Sequence, residues 1–147
     1  MSMVTVKELL KSKSTSVWTI SPEASVLDAL QMMADKDVGA VLVAEGDKLV
    51  GILSERDYAR NVTLKGKSPK TLSVGKLMTS KVFYVSPDKT IDECMALMTD
   101  KHIRHLPVME NERLVGIVTI GDVVKQVIAD QQFKIQEMEK YISGGGF

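Results

Sequence analysis

The chain carries its own outline twice. Val17-Trp18-Thr19-Ile20-Ser21-Pro22 lies over Val82-Phe83-Tyr84-Val85-Ser86-Pro87 at an offset of 82 − 17 = 65, and the offset holds without a gap to Asp57 over Asp122. Inside that span Asp35-Lys36 matches Asp100-Lys101, and Leu49-Val50-Gly51-Ile52 matches Leu114-Val115-Gly116-Ile117. The approach to each copy matches too: Val6, Leu9, Leu10 and Lys13 against Val74, Leu77, Met78 and Lys81, offset 81 − 13 = 68, with Ser14-Thr15-Ser16 as the three extra residues. A repeat of roughly 45 residues buries too little apolar surface to stand alone, so two copies must share one body.

Each copy spells the same order of elements. Trp18–Ile20 and Phe83–Val85 are short β-prone runs halted by Ser-Pro. Ser25-x-x-Asp28 and Thr90-x-x-Glu93 read as capping boxes opening helices whose apolar faces carry Val26, Leu30 and Met33, or Ile91, Met95 and Met98. Val41–Ala44 and Leu106–Met109 are continuous apolar runs that fit strands buried on both faces. Polar turns at Glu45-Gly46-Asp47 and Glu110-Asn111-Glu112 lead to strands at Leu49–Leu53 and Leu114–Val118. Ser54-x-x-Asp57 and Thr119-x-x-Asp122 then cap another helix. The order β-α-β-β-α, twice, predicts a mixed α/β (α+β) body, two repeats packed pseudo-symmetrically, with an added C-terminal helix. The segments are residues 5–61, a connector at 62–72, residues 73–128 and a helical tail at 129–147.

Composition narrows what such a body can do. The 147 residues hold nineteen Lys plus Arg against nineteen Asp plus Glu, so no net field draws the chain to nucleic acid or an anionic membrane. No apolar run approaches the ~20 residues that cross a bilayer, and Met1–Glu8 lacks the pattern of a signal peptide. Cys94 is the single cysteine. It excludes an internal disulfide framework and, with only His102 and His105 for company, disfavours a closed zinc site; a reduced, cytoplasmic setting follows as the expectation. Cys94 stands where the first copy has Ala29, a buried and unreactive position; Met32, Met33, Met95 and Met98 read as core filling. The connector from Arg60 to Lys81 is basic without an acid, either a solvated link or a positive field beside an anionic ligand. Val124, Val127, Ile128, Ile135, Met138 and Ile142 form an apolar stripe interrupted at Gln131, suited to packing on the body or on a second subunit.

The most informative pattern is Gly51-Ile52-Leu53-Ser54-Glu55-Arg56-Asp57 and its twin Gly116-Ile117-Val118-Thr119-Ile120-Gly121-Asp122. A strand ends, a hydroxyl residue turns the corner and an Asp sits in the first helical turn. Read structurally, this is a helix cap. Read chemically, helix N-terminal amides and the hydroxyl meet a phosphate or ribose while the carboxylate grips vicinal hydroxyls. One residue set can serve both.

On these residues the chain resembles a tandem pair of CBS domains, a Bateman module, of the stand-alone bacterial type. The resemblance implies binding of an adenosine compound (AMP, ADP, ATP, S-adenosylmethionine or NAD) in clefts between the copies, and a dimer. It implies that Asp57 and Asp122 hold ribose hydroxyls, that Ser54 and Thr119 reach ribose or phosphate, and that ligand lies against Trp18-Thr19-Ile20 in one copy and Met78-Thr79 with Phe83-Tyr84-Val85 in the other. The segment before the second strand differs between copies. Ile103-Arg104-His105-Leu106-Pro107 offers two cations, whereas Val38-Gly39-Ala40-Val41-Leu42 offers none and lacks the proline. Conversely Arg56 precedes the first Asp and Gly121 the second; the copies are therefore not expected to be occupied equally, and with Arg104 and His105 at hand the Asp122 site is favoured for a phosphorylated ligand. The implied function is a non-catalytic sensor acting on an unidentified partner protein, with no catalytic cofactor or metal. The rival is a dimerisation adaptor with vestigial clefts. No catalytic triad, Cys/His pair or carboxylate pair stands in a context that supports an enzyme.

Overall fold

The lead-in to each copy is a short helix fastened by the same two backbone hydrogen bonds to the opposite copy. In this computed structural model, which describes residues 3–13, 17–63 (backbone only at 62–63), 66 and 68–142, α1 (Val6–Ser12) and α4 (Val74–Leu77) are those lead-ins. Val6 N–H donates to the Lys89 carbonyl at 2.8 Å and Lys7 N–H to Pro87 at 2.9 Å; Val74 N–H donates to Ala24 at 2.8 Å and Gly75 N–H to Pro22 at 2.8 Å. Bridges Thr5↔Thr90 and Ser25↔Ser73 repeat the correspondence. The compact units therefore cut across the sequence repeats. One gathers Met1–Ser14, Val85–Val108 and Ile117–Phe147; the other gathers Thr15–Tyr84 with Met109–Gly116.

The first copy runs β1 (Thr19–Ile20), α2 (Val26–Lys36), β2 (Ala40–Glu45), β3 (Lys48–Ser54) and α3 (Glu55–Tyr58), the last continuing as a π-helical turn over Ala59–Thr63. β1 pairs parallel to β2 in the register Ile20↔Val43, and β2 pairs antiparallel to β3 with Val41↔Leu53 and Val43↔Gly51. The second copy runs α5 (Ile91–Lys101), β4 (His105–Glu110), β5 (Arg113–Thr119) and α6 (Ile120–Ile142). Its sheet has two strands, against three in the first.

The missing strand corrects the expectation for Phe83–Val85, which shrinks to one parallel bridge, Val85↔Val108, with Val85 N–H on the Pro107 carbonyl at 3.0 Å. Pro107 is the reason. It stands where the first copy has Leu42, and without an N–H it cannot extend the ladder. A second correction concerns Ser25-x-x-Asp28: Ser25 accepts from Asp28 N–H at 3.1 Å, but Asp28 returns no bond, so it is a simple cap. The repeat persists in the backbone: Asp37 (φ 53°) and His102 (φ 56°), 65 apart, both end helices in the left-handed region.

One unit packs Ile20, Ala29, Met33, Val41, Val43, Leu53 and Val74 into its core, with Met32 against it. The other buries Val6, Ile91, Cys94, Met98, Leu106, Val108, Val118 and Val123. Cys94 and Ala29 are both fully buried, as their shared position required. Met95, expected in the core, is exposed instead, because it sits on the outer side of α5. Lys65 and Lys67 of the basic connector, the Ser14-Thr15-Ser16 insertion and the Ser143–Phe147 end lie outside the described residues.

Candidate functional site

Each copy ends its second hairpin strand at a hydroxyl residue whose helix starts at once. Ser54 accepts Asp57 N–H at 3.1 Å, and Asp57 Oδ2 accepts Ser54 N–H at 3.1 Å and Ser54 Oγ–H at 3.0 Å. Thr119 Oγ1 accepts Asp122 N–H at 3.2 Å, and Asp122 Oδ2 accepts Thr119 N–H at 2.9 Å. Capping thus takes one carboxylate oxygen in each copy. Among the described residues neither Asp57 Oδ1 nor Asp122 Oδ1 accepts a hydrogen bond, so each Asp keeps acceptor capacity.

The strand-opening segments are tied to these helix starts by another repeated bond. Glu55 N–H donates to the Gly39 carbonyl at 3.0 Å, and Ile120 N–H to Arg104 at 2.9 Å. What the bond delivers differs. In the first copy it brings Gly39, and Val38, Gly39 and Glu55 line a cavity of about 400 Å³ with Leu30, Met33, Ala34 and Asp37. In the second it brings Arg104 and His105 to the start of α6. Burial holds the His105 pKa below its usual value, Arg104 lowers it further, and the negative charge of Asp122 pulls the other way.

The lead-in adds a third base. Lys13 Nζ reaches Asp122 Oδ2 at 2.7 Å and donates to the Ile117 carbonyl at 3.0 Å. Lys81, its counterpart by repeat, is exposed and makes no ion pair with Asp57. Asp122 therefore pairs with Lys13 and acts on His105, with Arg104 adjoining in the same segment, while Asp57 has Arg56 beside it in sequence, exposed on α3. Sequence reasoning noted Lys13 only as a repeat marker. The signal available was its alignment with Lys81, but not which Asp it would meet.

A family model described as CBS domain matches residues 6–63 and again 74–129, more than three quarters of the chain. The chain belongs to the CBS domain family. It is 37% identical over 151 residues to CBS domain-containing protein CBSX3, mitochondrial, of Arabidopsis thaliana, covering 96% of this chain and 73% of that protein. A solved protein with CBS domains from Burkholderia ambifaria MC40-6 is 48% identical with a TM-score of 0.83, over 87% of this chain and 96% of its own. A further solved CBS domain pair, in complex with 5′-methylthioadenosine and S-adenosyl-L-methionine, shares the fold at 24% identity and a TM-score of 0.75, over 86% of this chain and 98% of its own.

The remaining residues singled out in this CBS pair divide by exposure. Trp18 is exposed, with the Lys36 ammonium 4.1 Å from its ring centroid, and Thr19 is exposed beside it. Tyr84, Thr79 and Gly121 are exposed, and Phe83 half-buried. Ile20, Val85, Leu106 and Pro107 are buried, Leu106 completely, so their side chains build the core, and the Pro107 carbonyl is engaged by Val85. Met78 packs on Gly51, and Thr79 exchanges backbone bonds with Ile52 at 2.9 and 3.0 Å. That contact explains the motif's first glycine: a Cβ at Gly51 would fall 2.9 Å from Met78 Cγ and 3.0 Å from the Thr79 carbonyl.

His102 is the C-cap of α5, in the left-handed region. Among the described residues no group of three or more His, Cys, Asp or Glu could hold a metal ion, and no helix is long and apolar enough to cross a membrane. Burial pushes the Cys94 thiol up to about 11, the wrong direction for a nucleophile at neutral pH.

Proposed function

We propose that this CBS pair is a non-catalytic regulatory module that binds an adenosine compound, AMP, ADP or ATP before NAD or S-adenosylmethionine, and passes the binding on to a partner protein as a homodimer in the cytoplasm. The observation that carries this is the divided use of each motif carboxylate: one oxygen closes the helix cap and the other remains open to ribose hydroxyls. Ser54 and Thr119 stand beside those carboxylates, and helix N-terminal amides add a partial positive charge. Lys13, Arg104 and His105 around Asp122 support a phosphorylated ligand there, and the uncharged Gly39-Ala40 segment supports a weaker or less charged ligand at Asp57. The solved relative with adenosine compounds bound supports the ligand class.

Binding shifts a conformational equilibrium only through different affinities for the two states, and such couplings are typically ~1–3 kcal/mol. A melting-shift panel of AMP, ADP, ATP, NAD and S-adenosylmethionine tests the reading: at least one should raise the melting temperature in a concentration-dependent way. Silence across the panel would instead favour the dimerisation adaptor, a reading that draws on the exposed apolar residues of α6.

A further inference from the structure

Helix α6 outruns the body it starts from. Its inner residues Val123, Gln126, Val127 and Asp130 are buried or half-buried, at the spacing of one helical face, and α6 packs against α5. From Gln131 to Ile142 every residue is exposed. Twelve exposed helical residues are marginal in water by themselves, because most helical stability in proteins comes from packing an amphipathic face.

The exposed apolar residues are in register. Val124, Ile128, Gln131, Ile135, Met138 and Ile142 follow one another at intervals of four, three, four, three and four, a heptad seam with isoleucine at each a position and Val124, Gln131 and Met138 at d. Ile135 is 54% exposed, Met138 61% and Ile142 77%. β-Branched residues at a, with Leu at d, favour two-stranded parallel coiled coils; the a positions here meet that pattern, and Met138 is the unbranched apolar residue at d. The flanks agree. Lys134 falls at g and Glu139 at the e position of the next heptad, the two sites that meet across a parallel dimer. Neither makes an ion pair within the described chain. Phe133, equally exposed at 64%, falls at f and lies off the seam.

We infer that the seam of α6 pairs with α6 of a second copy of this chain, parallel and in register, as a short two-stranded coiled coil. The inference rests on the dimeric part of the function proposed above and not on its nucleotide part. The seam closes with Ile on Ile and Met on Met, and Lys134 of each copy reaches Glu139 of the other.

The test is mass and crosslinking of the full chain. Ile135→Asp with Met138→Asp should halve the mass seen by sedimentation, whereas Phe133→Asp should leave it at the wild-type value. Met138→Cys should form an intermolecular disulfide under mild oxidation, since the d residues of a parallel pair face each other and the native Cys94 is buried. That readout does not depend on the double variant folding well. Lys134→Glu should weaken the dimer, and adding Glu139→Lys should restore it. A double variant that keeps the wild-type mass would overturn the seam while leaving dimerisation elsewhere standing. A Met138→Cys chain that never crosslinks, or a Phe133→Asp chain that dissociates equally, would also overturn it.

Discussion

Lys13 Nζ sits 2.7 Å from Asp122 Oδ2 across 109 positions of sequence, with both side chains more than four-fifths buried. Lys13 arrives there because α1 is fastened to the second copy and not to its own, through Val6 on Lys89 and Lys7 on Pro87. The ammonium does two things. It neutralises a carboxylate that would otherwise be desolvated alone, and it places a donor beside the acceptor proposed to take ribose. Lys13→Met should therefore cost about 1–2 kcal/mol of stability, toward the low end because the pair is not fully dry. Lys81→Met, which breaks no pair, should cost close to nothing. Urea unfolding of both variants checks the contrast, and a double-mutant cycle with Asp122→Asn isolates the pair's own coupling.

His105 gives the second prediction, with its sign fixed by burial. Its pKa in the folded chain is below the usual 6.5, so below that pH the unfolded chain binds the extra proton and the folded chain resists it. Stability from this group is complete above about 6.5 and drains as the pH falls beneath it. Melting temperatures from pH 7.5 down to pH 5 should decline, and His105→Gln should flatten that decline. An unchanged slope would assign the pH dependence to other groups.

Gly51 supplies a test of the fold around the motif. Gly51→Ala puts a methyl against Met78 Cγ and the Thr79 carbonyl; the thioether can swing aside but the backbone oxygen cannot. The cost should be about 1–3 kcal/mol, the usual range for overpacking. Gly46→Ala gives a different case, since nothing lies within 4 Å of a Cβ there and the strain comes from φ 61° alone. Thermal unfolding of the two variants separates close approach from backbone strain.

Much of this was legible from residues alone, and the failures have identifiable physics. The helices at Val26–Lys36 and Ile91–Lys101, and the hairpins that follow them, stand where capping residues and apolar runs put them. Their signals are local, set by bonds three or four residues long. Phe83–Val85 failed as a strand because its partner's proline lies more than twenty residues away, beyond any local pattern. The asymmetry between the two motif carboxylates was legible in Arg104-His105 against Val38-Gly39-Ala40, but the Lys13 contact was not, because Lys13 reaches Asp122 through a swap of lead-ins that periodicity does not encode. Leu106 and Pro107, which the resemblance places at the ligand, are buried, since the same apolar run also supplies the core.

The central claim is that Asp122 serves a ligand as well as a helix. Asp122→Asn keeps an oxygen for the Thr119 N–H and so preserves the cap, while removing the charge and one acceptor site. Titration calorimetry with AMP and ATP on the wild type, Asp122→Asn and Asp122→Ala measures the consequence directly. The account predicts a folded Asp122→Ala chain whose affinity falls about five- to 150-fold, the equivalent of ~1–3 kcal/mol for lost ribose hydrogen bonds, with Asp122→Asn between it and the wild type. Affinity unchanged in both folded variants would contradict it.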